Sequence, residues 1–417
     1  MDRRDFFKKS FFFFCLSSLP FGLKGWAAGL GDESGKDARN KKKKLIVLFQ
    51  RGAVDGLSVV VPYAESFYYD ARPTIAIPSG GGKNSIIDLN GRFGLHPSLE
   101  AVMPLWKNKT LGFIHASGSP DSSRSHFDAQ GFMESGTPGI LGTPDGWMNR
   151  LLQLLPETSS STQAIAMGSV LPRIFQGEKK VSNLALGRNP TRQLPVDRPR
   201  VESIFDQLYD GNDSLSQAYQ EGQKARKQFL FDMEEEAQQA DGGAPSPIGF
   251  GKQTQALGRL LRQDPGIQLV FLDLGGWDTH VNQGSTQGQL ANHLKQLGDG
   301  LASLTAGLGP ALDETVILVM SEFGRTVHEN GNGGTDHGHG NAMWVLGGPV
   351  KGGEIYGDWP GLSINNLYEG RDLPVTTDFR HAVSSILTGH FGLDPSQMKN
   401  VFPNMPDWKI RLNLVSP

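Results

Sequence analysis

Leu45-Ile46-Val47-Leu48-Phe49 is an unbroken apolar run, and behind it stands Gln50-Arg51-Gly52-Ala53-Val54-Asp55-Gly56. Apolar residues without polar alternation describe a strand buried on both faces. The glycines and the carboxylate that follow describe a turn at its C-terminal end. Comparable runs recur at Leu111 to Ile114, Leu269 to Leu274 (broken only by Asp273), Val316 to Met320 and Met343 to Leu346. Between two of them, Leu290, Leu294, Leu297, Leu301, Leu304 and Leu308 fall three or four apart. That spacing predicts an amphipathic crossover helix whose stripe is core packing. Strand–helix–strand repetition predicts an α/β fold, a mostly parallel central sheet with helices on both faces.

Sheets of this kind collect chemistry at the C-terminal ends of their strands. The first run leads into Asp55, and the second into Pro120-Asp121-Ser122-Ser123-Arg124-Ser125-His126-Phe127-Asp128. The third leads into Gly275-Gly276-Trp277-Asp278-Thr279-His280, and the fourth into Ser321-Glu322-Phe323-Gly324-Arg325. Just before the fifth lies Gly333-Gly334-Thr335-Asp336-His337-Gly338-His339-Gly340-Asn341. Each has an ordinary alternative: Asp55 can cap a turn, and Asp278-x-His280 can be a loop hydrogen bond. Two histidines within three residues among glycines, at His337 and His339, seldom serve packing, so ligation is favoured there. Imidazole and carboxylate without thiolate suit zinc or manganese, and carboxylate-rich sets suit calcium or magnesium.

The rest of the 417 residues narrows the class. Lys and Arg number 40 against 43 Asp and Glu, a net charge of −3. That balance speaks against a nucleic-acid partner. The single cysteine, Cys15, rules out disulfide scaffolds and cysteine-based metal sites. It lies in an N-terminal segment with Arg3-Arg4, an apolar stretch from Phe11 to Phe21 and Ala27-Ala28. The stretch is too short for a spanning helix. Paired arginines, a short apolar core and a small-residue cleavage site predict an export leader over residues 1–28. It resembles the twin-arginine type, which implies the twin-arginine export machinery as a partner and a periplasmic or extracellular destination. Without it the net charge becomes −6, and no integral membrane segment is expected. The main domain is expected over 44–410. A helical insertion or cap is expected at about 149–249, ending in the linker-like Gly242-Gly243-Ala244-Pro245-Ser246-Pro247.

Phe49-x-Arg51-Gly52-x-x-Asp55-Gly56, Arg124-Ser125-His126-Phe127, Gly275 to His280, Ser321 to Arg325 and Gly334 to Gly340 together resemble the DUF1501 family. These are exported bacterial proteins of unassigned activity, placed in the alkaline phosphatase and sulfatase superfamily. The resemblance implies an alkaline-phosphatase-like α/β fold. It implies a first-strand carboxylate at Asp55 and a nucleophile at Ser122 or Ser125, either of which could instead cap a helix. It also implies one metal held by Asp278, His280 and His337. At Ser321-Glu322-Phe323-Gly324 the superfamily commonly has Asp-His-Gly. Glu322 can replace the Asp, but Phe323 supplies no imidazole. His339 could compensate, beside Asp336, or Arg325 could supply charge. One or two metal ions are therefore expected.

The implied activity is metal-dependent hydrolysis of a phosphate or sulfate ester, small or polymeric. Arg124 or Arg325 would clamp the anion, and His126 would shuttle protons. The competing expectation is an exported binding or scaffold protein that keeps the fold and at most one metal site. No Gly-x-Ser-x-Gly elbow is present to support a metal-free serine hydrolase.

Overall fold

A computed structural model describes residues 42–158, 162–168, 170–184, 211, 216–217, 240–405 and 412–416. The expected export leader, with Cys15, and most of the expected helical insertion lie outside the described residues.

The five apolar runs are β1 (Lys44–Gln50), β5 (Leu111–Gly118), β8 (Leu269–Leu274), β9 (Thr315–Ser321) and β10 (Asn341–Gly347). With β6 (Ala164–Met167), β7 (Ser182–Leu184), β11 (Ile355–Tyr356) and β12 (Thr377–Asp378) they form one sheet. Its order is β11-β5-β10-β9-β1-β8-β6-β7, with β12 also on β5. β1 runs parallel to both of its neighbours, pairing Leu48 with Leu272 on one side and with Val319 on the other. Only β10 runs the other way, antiparallel to β9 and β5. The fold is therefore the mostly parallel α/β sheet that the runs predict.

Every residue of β1, β5, β9 and β10 is buried, because both faces of the sheet are covered. Leu45, Val47 and Phe49 enter one core, and Ile46 and Leu48 the other. The second core holds the leucine stripe: Leu290 to Leu308 are all fully buried on the crossover helix Gln289–Leu308. A smaller sheet of β2 (Val60–Val61), β3 (Ile87–Asp88) and β4 (Gly94–Leu95) meets β5 where His115 Nε2 lies 2.8 Å from the Val60 carbonyl.

One boundary differs from expectation. Residues 147–184, partly assigned to a helical insertion, supply a helix (Trp147–Leu154) and the strands β6 and β7 that extend the main sheet past β8. Ala164-Ile165-Ala166-Met167 is short and half alanine, so it lacks the bulky branched signature of the other strands.

Candidate metal centre

The site forms where the parallel strands end. β1, β8 and β9 deliver Gly52, Asp278 and Glu322 to one rim of the sheet, and β5 leads into the helix His126–Ser135 on the same rim. β10 runs in reverse, so the residues before it, His337 among them, arrive there too. This explains why the fifth motif precedes its strand.

Two glycines permit the convergence. Gly52 has φ +110°, and a Cβ there would lie 2.7 Å from the backbone nitrogen of Asp278. Gly324 passes so near Gly340 that a Cβ would overlap its carbonyl oxygen. The loop before His126 is braced by short-range bonds. Asp121 Oδ1 accepts from the Ser123 N–H, Ser123 Oγ from the Ser125 N–H, and Ser125 Oγ caps the helix by accepting from Asp128.

His126, Asp278 and His337 present ligand atoms that all lie within 4.8 Å of one another. The Nε2 atoms of His126 and His337 are 3.0 Å apart. Asp278 Oδ1 is 3.3 Å from His337 Nε2 and 3.7 Å from His126 Nε2. His280 stands beside them, its Nε2 3.0 Å from Asp278 Oδ1 and 2.9 Å from His337 Nε2.

The outward ring nitrogens define the tautomers. His126 Nδ1 donates to Glu322 Oε1 at 2.8 Å, and His337 Nδ1 donates to the Arg124 carbonyl at 3.0 Å. His280 Nδ1 lies 3.3 Å from Asp336 Oδ1. Carboxylates and carbonyls only accept, so each neutral ring carries its lone pair on Nε2, facing its neighbours. Lone pairs 3 Å apart repel unless a proton or a cation lies among them. Outer acceptors on inner imidazoles are the arrangement that orients metal-binding histidines.

The charges agree. Burial alone would depress His126, but the carboxylates of Asp278 and Glu322 prevail and raise its pKa to about 9. Burial would raise Asp278, but the three imidazoles around it and the charge of Arg325 hold it far below the usual carboxylate range. Glu322, fully buried, is lowered to about 2 against its desolvation by His126 and Gln130. The cluster is built to hold positive charge. His126, Asp278 and His337, with His280 adjacent, fit a borderline cation such as zinc.

Other expected site residues are engaged elsewhere. Asp55 is not in the cluster. It is fully enclosed and takes two bonds from Arg72, at 2.6 and 3.0 Å, with further bonds from Ser58 and Gln283. Glu322 Oε1 accepts from Gly52 N–H, His126 and Gln130, and Oε2 from Ser321, so it orients His126 rather than facing a cation. Asp336, half-exposed, braces His280 and takes a bond from Asn330.

Arg325 is buried, and its guanidinium bonds the carbonyls of Gly52, Ala53, Trp277 and Thr335, His280 and Asp278. With every donor engaged it is no clamp for an incoming anion. Arg124 sits on the rim, paired with Asp372 at 2.7 Å and Glu369 at 2.6 Å. His339 stacks on Tyr368, with ring centroids 4.9 Å apart, and does not join the cluster. Phe323 is buried against His126 and His337, at 4.9 and 5.1 Å between centroids, and fills space beside them. Ser122 is exposed and makes no side-chain hydrogen bond among the described residues; Ser125 is exposed too, as the helix cap.

Sequence reasoning missed Gln130, one helical turn after His126, which links Glu322 to Arg51. Arg51 in turn pairs with Glu134 and Asp273. It also missed Asp241, which accepts from the Gly276 N–H at 2.7 Å. Burial, with Asp278 and Glu322 nearby, raises its pKa to about 7. Gln130 was recoverable from its helical spacing to His126; Asp241, at the head of a linker-like segment, carried no such signal.

No helix of the described residues is long and apolar enough to cross a membrane. Solved structures with a similar course of chain include the C-terminal periplasmic domain of EcEptC from Escherichia coli in complex with Zn. That match has 10% identity, 73% of this chain and 72% of that one covered, and a TM-score of 0.37. A protein in the alkaline phosphatase superfamily from Vibrio parahaemolyticus matches at 9% identity, covering 76% of this chain and 62% of that one, with a TM-score of 0.38. The lipoteichoic acid synthase LtaP from Listeria monocytogenes matches at 8%, covering 74% and 66%, with a TM-score of 0.34. At that distance none of them says what a residue of this chain does. No curated protein matches the sequence. The family model described as "Protein of unknown function (DUF1501)" matches residues 92–402, most of the chain and every motif except the one at Asp55, and the chain therefore belongs to the DUF1501 family.

Proposed function

We propose that the protein is an exported, alkaline-phosphatase-like hydrolase of a phosphate or sulfate ester that works with a single divalent metal, zinc or manganese. The observation that carries this reading is the convergence of imidazole Nε2 atoms on Asp278 Oδ1, each ring held from behind by its own acceptor. His126, Asp278 and His337 would hold the ion, with His280 completing or exchanging into the set. When bound, such an ion supplies Lewis-acid stabilisation of a transferring anion and lowers the pKa of a hydroxyl or water.

The chain's own groups divide the remaining work. Glu322 and the Arg124 carbonyl fix the ligand rings. Arg124, at the rim, is the arginine available to meet an anionic ester by exchanging its partners Glu369 and Asp372. Ser122 suits the nucleophile better than Ser125, whose oxygen caps the helix. Asp55, already paired with Arg72, leaves no partner for a second ion, so a one-metal mechanism is the version proposed.

The test is elemental analysis of protein isolated from its native compartment, followed by a screen of phosphomonoesters, phosphodiesters and sulfate esters with and without chelator. One equivalent of metal and chelator-sensitive hydrolysis are expected. The second reading, a scaffold without chemistry, is favoured by the saturated donors of Arg325 and by Phe323 packed where a second imidazole would stand. Metal-free protein with no turnover would establish it. Export is tested separately: changing Arg3 and Arg4 to lysine should leave the leader attached and the protein in the cytoplasm.

A further inference from the structure

A second cleft, lined by none of the candidate metal-centre residues, lies where the two sheets meet. β11 and the residues after it face the turn between β3 and β4 across a cavity of about 320 Å³. Strands β10, β9 and β1 lie between β5, whose His115 lines the cleft, and β8, which leads to Asp278. The volume is near the lower end for small-molecule sites.

Its floor is aromatic and fixed. Trp359 meets Phe93 edge-on at 5.1 Å between centroids and His115 at 4.4 Å, and Tyr356 lines the adjoining wall. The polar ends of the larger rings are tied back into the protein. Trp359 Nε1 donates to Glu65, and Tyr356 Oη donates to the Lys351 carbonyl. What these rings offer the cleft is apolar surface without conformational freedom to lose.

Its rim is polar and uncommitted. Asn90, Arg92 and Asp358 are all exposed. Asn90 Oδ1 accepts from the N–H groups of Arg92 and Phe93, which fixes the amide and turns its NH₂ outward. The Arg92 guanidinium lies 5.8 Å from the Phe93 ring centre. Among the described residues neither it nor the Asp358 carboxylate makes a side-chain hydrogen bond.

A ligand that matches both parts has a C–H face for the rings and, around its edge, groups that donate and accept at once. We propose that this cleft binds a pyranose ring of a saccharide. Its hydroxyls donate to Asp358 and accept from Asn90 and Arg92 while its apolar face rests on Trp359. A purely aromatic ligand would make no use of the three exposed rim groups, and an inorganic anion would ignore the rings and meet the charge of Asp358. The cleft does not depend on the metal, so it would hold a glycan independently of ester hydrolysis.

Cellohexaose, chitohexaose and hexagalacturonate, titrated against the full chain by tryptophan fluorescence and calorimetry, test this with neutral, acetylated and acidic rings. At least one should bind with a Kd below about 1 mM, and binding should survive chelator. Trp359→Ala should weaken it roughly tenfold or more. Because Trp359 also packs against the core, Asp358→Ala, at an exposed position, repeats the test and should weaken binding about fivefold at unchanged Tm. No binding by any of the three up to about 10 mM, or binding untouched in both variants, overturns the proposal.

Discussion

Asp55 and Asp278 occupy matching positions, each a few residues past the end of one of two adjacent parallel strands, β1 and β8. Their surroundings are opposite in kind. Asp55 is met by Arg72, whose charge is permanent, and by Ser58 and Gln283, none of which can exchange a proton for a metal. Asp278 is met by Arg325 and by three imidazoles, groups that hold a proton or exchange it for a metal. Both carboxylates are held below the usual range. Each is paired with a buried arginine; the difference is that Asp278 also faces three imidazoles, which can exchange their positive charge. A carboxylate at a strand end is thus no evidence of a site until its cation is known.

The comparison breaks most visibly if Asp55 is removed. Asp55→Ala leaves Arg72 buried and uncompensated, and breaking such a pair costs about 3–5 kcal/mol. The metal content of whatever folds should be unchanged. Chemical denaturation with elemental analysis measures both; a loss of metal at unchanged stability would return Asp55 to the centre. Asp278→Asn should do the reverse, lowering metal affinity by roughly a hundredfold or more while the fold persists. Glu322→Gln, one shell out, should fall between about tenfold and a hundredfold, because His126 loses the charge that orients it. Competition titration with a chromophoric chelator ranks all three.

Why the sequence distinguishes these two carboxylates only in part follows from where their partners lie. The five buried strands and the leucine stripe were readable because each is set by local apolar pattern. The histidines were readable because His280 and His337 sit in short glycine-rich motifs that packing does not require. Arg72 was not, since it stands in Asp70-Ala71-Arg72-Pro73 with nothing to mark it as the mate of a residue 17 positions earlier. His126 was legible as a site residue, but its place in the candidate metal cluster, rather than as a proton shuttle, depends on Glu322, 196 positions away. Long-range pairing of this sort leaves no periodicity to read. The same holds for β6, too short and alanine-rich to announce itself.

Phe323 sharpens the comparison further. With Asp55 held by Arg72 and Glu322 by its four donors, a histidine at position 323 would find no second carboxylate to share an ion with. Phe323→His should therefore add no metal. It should cost roughly 1–3 kcal/mol, because a polar ring there finds no partner on the side of Ala53 and Ala129 and crowds the rings of His126 and His337 on the other. Metal titration and thermal melting on one sample check both parts. An added equivalent at unchanged Tm would show that the second site is recoverable after all.

The smallest effect contrasts two histidines. His126 is lifted to about 9 by its anionic neighbours, whereas His96 is pushed down to about 4, chiefly by burial. His96 Nδ1 accepts from the Ser98 N–H at 3.0 Å, and Nε2 faces the Ser285 carbonyl at 3.1 Å, so the neutral ring is fully used. Protonating Nδ1 would break the first bond and bury a charge. Its folded pKa lies below the unfolded value of about 6.5. The unfolded chain therefore binds the proton first, and the contribution of His96 is complete above about pH 6.5 and is lost as pH falls toward 4. Between pH 7 and about pH 5.5 the loss should reach roughly 1 kcal/mol. Urea midpoints of the wild type and His96→Gln at the two pH values isolate it, since glutamine can both accept and donate but does not titrate. A smaller pH dependence in the variant is expected; an identical one would mean that His96 is charged in the folded protein, and that burial at this position does not exclude a proton as His126's neighbours invite one.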